Sequence, residues 1–112
     1  MKILEKYIDC MQRGDNVALA DLFNEKGIFH DSSVTRVGMD TVHLEGKMAI
    51  EMMYHHKFGF NGGPFKITSV SYKGDNVVWY FIQYPQGIVA VTGYLVGVDD
   101  EGKIKRLNIC AL

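Results

Sequence analysis

The stretch Gly27-Ile28-Phe29-His30-Asp31-Ser32-Ser33 reads as a short strand that ends on an acidic residue, and the rest of the chain is read outward from it. Side chains alternate along an extended backbone, so Phe29 and Asp31 share one face and Ile28 and His30 the other. If Phe29 points to the interior, Asp31 does too. A carboxylate placed there must be paired, ligand-bound or tuned in proton affinity, because an unpaired buried charge is costly. Asp31 is therefore expected to form the floor of a pocket and to be a candidate proton-transfer group.

Upstream of this strand, Ile3, Leu4, Tyr7, Ile8 and Met11 recur at helical spacing, with Lys2, Glu5, Lys6, Asp9 and Arg13 mostly outside that stripe. Gly14 suits the end of this helix and Asp15 the cap of a second, short one that runs to about Phe23 and buries Leu19, Leu22 and Phe23. Downstream, residues 32–45 keep no sustained period and read as a long loop or at most a loose hairpin, the kind of segment that often edges a binding site. A third helix starts near Gly46-Lys47, with Ala49, Ile50, Met53, Tyr54 and Phe58 inward and Met48 and Met52 on an adjoining face.

Phe60-Asn61-Gly62-Gly63-Pro64 stops that helix. The remainder reads as a meander of four antiparallel strands, about 65–72, 77–84, 88–98 and 103–111, separated by short Gly-, Asp-, Asn- and Pro-bearing turns. In the second of these strands Trp79, Phe81 and Gln83 fall on one face and Val78, Tyr80, Ile82 and Tyr84 on the other. Both faces are rich in large apolar groups, and helices cover only one of them. A homodimer through the sheet is the expectation, with Val78, Tyr80, Ile82, Val89, Val91 and Leu95 at the interface.

With 112 residues, 47% hydrophobic and 22% charged, the chain reads as one globular α+β domain spanning 1–112. A formal net charge of -1 and the lack of any basic, aromatic-interleaved cluster argue against nucleic-acid binding. Charges interrupt the apolar residues at the amino end, and no long apolar run occurs, so a membrane role is not expected and a cytoplasmic location is. Cys10 and Cys110 stand without ligand-like spacing and read as two buried thiols rather than a disulfide. His30, His43, His55 and His56 do not converge at metal-ligand spacing, so no metal and no cofactor are expected. Gly62-Gly63 lacks the lysine and the strand-to-helix context of a phosphate loop.

The order of elements, together with Tyr7-Ile8 before Gly14-Asp15, Ile28-Phe29-His30-Asp31, Gly46-Lys47-Met48-Ala49-Ile50 and Asp100-Glu101-Gly102-Lys103-Ile104, resembles the nuclear transport factor 2-like superfamily, which includes the SnoaL-like proteins and ketosteroid isomerase. The resemblance implies a cone-shaped curved antiparallel sheet wrapped around three N-terminal helices, a cavity at the open end of the cone, and dimerisation through the sheet. It also implies site residues. The isomerase's general base falls on Asp31, its oxyanion-stabilising tyrosine on Tyr7 and a supporting tyrosine on Tyr54. Its second oxyanion donor, a protonated aspartate, falls at or next to Tyr94, where this chain departs from the pattern with a phenol.

On this reading the catalytic candidates are Asp31, Tyr7 and Tyr94, with Tyr54, Trp79, Phe81, Gln83, His55 and Met53 lining the pocket. An apolar pocket disfavours the charged form of a carboxylate and makes it a better base, while a buried phenol can donate to an oxyanion. The bland alternative is that Asp31 hydrogen-bonds the loop start at Ser32 and Ser33 while Tyr7 packs in the core. Three function classes stay open: a cofactor-free isomerase or cyclase acting on a ring or carbonyl compound, a non-catalytic binder of an apolar small molecule, and a dimerisation domain.

Overall fold

In the computed structural model, which describes residues 1–112, helix α1 (Ile3–Arg13) buries Leu4, Tyr7, Ile8, Cys10 and Met11. That is the face the 3.6-residue spacing marks out. Glu5 accepts the Lys2 N–H at 3.0 Å in the first turn. Gly14 closes the helix at φ 69°, a left-handed conformation that glycine adopts without a Cβ penalty. Asp15 then accepts the Ala18 N–H at 2.9 Å and caps α2 (Asn16–Ala20).

Helix α2 ends earlier than the apolar spacing suggests, because Phe23 belongs to the sheet and Leu22 to the turn that leads into it. The Ile104 N–H donates to the Leu22 carbonyl at 2.8 Å, and Phe23 opens β1 (Phe23–Asp31) in register with Ile104. The segment after β1 is a loose hairpin. A single 3-10 turn (Ser33–Val37) leads to β2 (Val42–Glu45), which runs antiparallel to β1 with Asp31 opposite Val42.

Helix α3 (Lys47–Asn61) then crosses to the far edge of the sheet, and β3 (Lys66–Lys73), β4 (Val77–Tyr84), β5 (Gly87–Val98) and β6 (Ile104–Ala111) return as the expected meander. The strand order is β2-β1-β6-β5-β4-β3. Every pair is antiparallel except β1 with β6, which is parallel. The sheet is therefore mixed rather than wholly antiparallel, since the long crossover through α3 lets the last strand dock beside the first in the same direction. The result is an α+β fold of three helices and a six-stranded sheet.

The core reverses the expected use of the two faces of β4 and β5. Val78, Tyr80, Ile82, Val89, Val91 and Leu95, expected at a dimer interface, are all buried within the chain itself. Trp79, Phe81, Gln83 and Tyr94, expected in the pocket, project from the opposite face, where Phe81 and Tyr94 are 42% and 45% exposed. Gly93 marks the inward face. A Cβ there would stand 3.0 Å from Val78 Cγ1 and 3.2 Å from Ile109 Cδ1, so at this point of β5 a methyl would force its neighbours to give way.

Aromatic rings connect this core to the open end of the fold. Phe23 meets Phe29 edge-on at 6.4 Å, Phe29 meets Tyr54 at 5.6 Å, and Tyr54 lies 5.7 Å from Phe58. Phe58 lies 5.5 Å from Phe65, which lies 5.4 Å from Tyr84. Edge-to-face pairs at such separations add to the burial of the rings themselves. Cys10 and Cys110 are free thiols, Cys10 buried as expected and Cys110 only half-buried, and no helix is long and apolar enough to cross a membrane.

Candidate functional site

The aromatic series ends at a cleft of about 410 Å³, within the size range of small-molecule sites. The segment between β1 and β2 contributes Val34, Met39, Asp40 and Val42. Helix α3 contributes Met53, His56, Lys57, Phe60 and Asn61, and the strand ends across from it contribute Phe65, Tyr84, Pro85 and Gln86. The unperiodic stretch 32–45 is thus one wall of the cleft, as its lack of pattern suggests.

Lys57, on the inward side of α3, brings a charge to these apolar walls. Its Nζ lies 5.5 Å from the centres of the Tyr54 and Tyr84 rings and 5.9 Å from that of Phe65. Cation–π attraction to three ring faces offsets part of the hydration that the ammonium gives up. Its ion-pair partner is Asp31, with Oδ2 3.7 Å away. The side chains of Lys57 and Asp31 are 15% and 4% exposed. Burial pulls the Lys57 amine below its ordinary pKa, and the charge on Asp31 opposes that pull without cancelling it.

Asp31 points inward beside Phe29, as strand alternation requires. Its Oδ1 accepts the Ser33 N–H at 2.8 Å and the Ser33 Oγ–H at 2.6 Å. Oδ2 is left facing Lys57. One oxygen holds the start of the loop through Ser33, and the other belongs to a buried ion pair. Asp31 is not itself part of the cleft lining, so of the pair only Lys57 lines the cleft.

Four phenols surround this pair. The hydroxyls of Tyr7 and Tyr54 hydrogen-bond to each other within the core. Burial, reinforced by neighbouring phenols and by Asp31, holds Tyr7, Tyr54 and Tyr80 well above the ordinary tyrosine pKa. Tyr84 is raised by burial and then by Asp31. All four are neutral phenols at physiological pH.

Of the residues singled out from the sequence, Asp31, Tyr7 and Tyr54 come together in the interior, and Met53 lines the cleft. Tyr94 does not join them, because it projects outward from β5, opposite Val77 and Asn108 in the register. Trp79, Phe81 and Gln83 stay on the same outer face. His55 is exposed, and His56 is the one of the pair at the cleft. His30 and His43 face each other across β1 and β2 with Nδ1 atoms 3.1 Å apart, on the face opposite Asp31. No group of three or more His, Cys, Asp or Glu side chains is placed to hold a metal ion. Lys57 escapes a reading based on apolar spacing alone, although its place three residues after Tyr54 and four after Met53 puts it on the same stripe.

No family model matches this sequence, and no curated protein resembles it in sequence. Solved structures do resemble it in fold. An NTF2-like protein of unknown function from Cytophaga hutchinsonii superposes with a TM-score of 0.65 at 17% identity, over 96% of this chain and 84% of that one. A protein from Catenulispora acidiphila with a ketosteroid isomerase-like fold, solved in complex with trimethylamine, gives 0.68 at 16% identity over 96% and 82%. The epoxide hydrolase/cyclase-like enzyme SalBIII, which has a role in pyran ring formation in the polyether salinomycin, gives 0.68 at 16% identity over 98% and 88%. The element order, the mixed sheet against three helices and these superpositions agree: the chain has the nuclear transport factor 2-like, cystatin-like α+β fold.

Proposed function

We propose that the cleft binds a small, largely apolar molecule carrying one polar oxygen, and that the Asp31–Lys57 pair performs acid/base chemistry on it of the isomerase or cyclase type, without a cofactor. The observation that carries this reading is the buried ion pair at the inner end of an otherwise apolar cleft. Lys57 supplies a positive charge where an enolate-like oxygen would develop, in surroundings of low polarity where such a charge counts for more than in water. Asp31, oriented by Ser33, accepts the proton. Tyr7 acts at one remove, fixing the Tyr54 ring over which the Lys57 ammonium lies.

The second reading is a non-catalytic binder, favoured by the exclusion of Asp31 from the cleft lining and by the two Ser33 hydrogen bonds to its carboxylate. A screen of cyclic enones and related carbonyl compounds, followed for both binding and turnover, separates the two. On the catalytic reading Asp31→Asn lowers turnover by roughly two to four orders of magnitude while binding largely survives. Turnover unchanged by Asp31→Asn overturns the role of Asp31. Binding without turnover in the whole screen leaves the binder, and the absence of any binding removes both readings.

A further inference from the structure

We propose that Lys57 is a carbonyl-condensing amine, and that a small apolar aldehyde or ketone entering the cleft is captured on its Nζ as a protonated imine. This rests on the reading of the cleft given above and names the class of molecule it takes. Phe65 and Tyr84, two of the three rings over which Nζ lies, also line the cleft, as Lys57 itself does. The amine is therefore at the boundary between the cleft and the core, within reach of a ligand's carbonyl carbon. An ordinary surface lysine is fully hydrated and protonated at neutral pH, and so a poor nucleophile. Lys57 is largely stripped of water, and the same burial lowers its proton affinity, which is how lysine nucleophiles are activated.

The proton has a destination. Asp31 Oδ2 lies 3.7 Å from Nζ, while Oδ1 is held by Ser33, so the carboxylate accepts a proton from the ammonium and frees the nitrogen lone pair. That pair forms the C–N bond as the carbonyl π electrons move to oxygen, and the alkoxide is protonated. Asp31 passes on the protons that are needed as the carbinolamine C–O bond breaks and water leaves. In sum, an ammonium and a carbonyl compound become a protonated imine and one water, with no oxidant or reductant. The surrounding phenols, held neutral, do not compete as bases. The product keeps a single positive charge among the three rings and beside Asp31, so the site that stabilises the ammonium also stabilises the iminium, whereas a free carboxylic acid would pair with Lys57 without condensing.

The test treats the full chain near neutral pH with benzaldehyde and sodium cyanoborohydride, which reduces an imine to a stable secondary amine, and locates the adduct by peptide mapping. Lys57 is expected to be labelled about tenfold or more faster than exposed lysines such as Lys6, Lys26 and Lys105. Lys57→Arg keeps the positive charge but cannot condense, so it should lose that adduct while its circular dichroism is unchanged. Benzyl alcohol, which has the shape but no carbonyl, serves as the binding control through methyl shifts of Val34 and Met53. Labelling of Lys57 no faster than of the exposed lysines, with benzyl alcohol still bound, overturns the imine and leaves the cleft reading standing. If benzyl alcohol does not bind and Lys57 is not selectively labelled, both fall.

Discussion

Asp31 and Lys57 are held by different means. Asp31 has two hydrogen bonds from Ser33 as well as the ion pair, whereas the Lys57 ammonium depends on one carboxylate at 3.7 Å and three ring faces. The difference has a signature in pH. The amine of Lys57 has a lower pKa in the folded chain than in the unfolded one, so between those two values the unfolded chain binds more protons and stability rises with pH. That gain falls in the range just below the ordinary lysine value of about 10.4. Tyr7, Tyr54, Tyr80 and Tyr84 are shifted the other way for an acid. Above about pH 10 the unfolded phenols ionise while the folded ones do not, and stability falls. Urea unfolding across this range should show a rise followed by a steeper loss, and Lys57→Met should remove the rise and keep the loss. A Lys57→Met profile that still rises would assign the gain to another group.

Among the elements, β4 shows most directly what alternation does and does not settle. It divides Val78, Tyr80, Ile82 and Tyr84 from Trp79, Phe81 and Gln83 without saying which set faces the helices. The polar residue was the available clue. Gln83 lies on the outer face with Lys66 opposite it in β3 and Thr68 opposite Phe81, while the inward set has no amide or charge. Truncation should separate the faces. Ile82→Ala removes buried methyl groups and is expected to cost about 2–5 kcal/mol, and Gln83→Ala about 0.5 kcal/mol or less, both read from chemical denaturation. Similar losses for the two would mean that Gln83 is packed as tightly as Ile82. Gly93→Ala tests the same packing from β5, since its methyl would press on Val78 and Ile109; overpacking of this kind costs about 1–3 kcal/mol.

At the scale of the whole molecule, the outer face of the sheet carries Trp79, Phe81, Ile88, Tyr94 and Val96, of which Ile88 and Val96 are 66% and 59% exposed. Monomeric soluble proteins seldom leave a large contiguous apolar patch uncovered. The prediction at this scale is a homodimer in which the two outer surfaces of β4 and β5 meet. Sedimentation velocity at micromolar concentration is expected to find a dimer for the wild type and a monomer for Phe81→Lys, whose side chain points away from the core and leaves the fold intact. A wild-type monomer under those conditions overturns the dimer, and a dimer that survives Phe81→Lys moves the contact elsewhere.

The sequence by itself determined what depends on neighbours along the chain. The stripe of α1, the Gly14 stop and Asp15 cap, the turns of the meander, and the placement of Asp31 on the same face as Phe29 all follow from local periodicity and turn chemistry. From these come the element order and the α+β fold, whereas the grouping of Tyr7 and Tyr54 with Asp31 was implied by the resemblance to the nuclear transport factor 2-like superfamily. Tertiary structure decided what depends on distant neighbours. Pairing of Phe23 with Ile104 took that residue out of α2, and docking of β6 beside β1 made the sheet mixed. Burial of Val78, Tyr80, Ile82, Val89, Val91 and Leu95 in the core left Trp79, Phe81, Gln83 and Tyr94 on the other face. Folding also brought Lys57 to Asp31 and three aromatic rings. Local sequence specifies which side chains share a face, but which face is buried, and which charges meet there, is set by the elements packed against it.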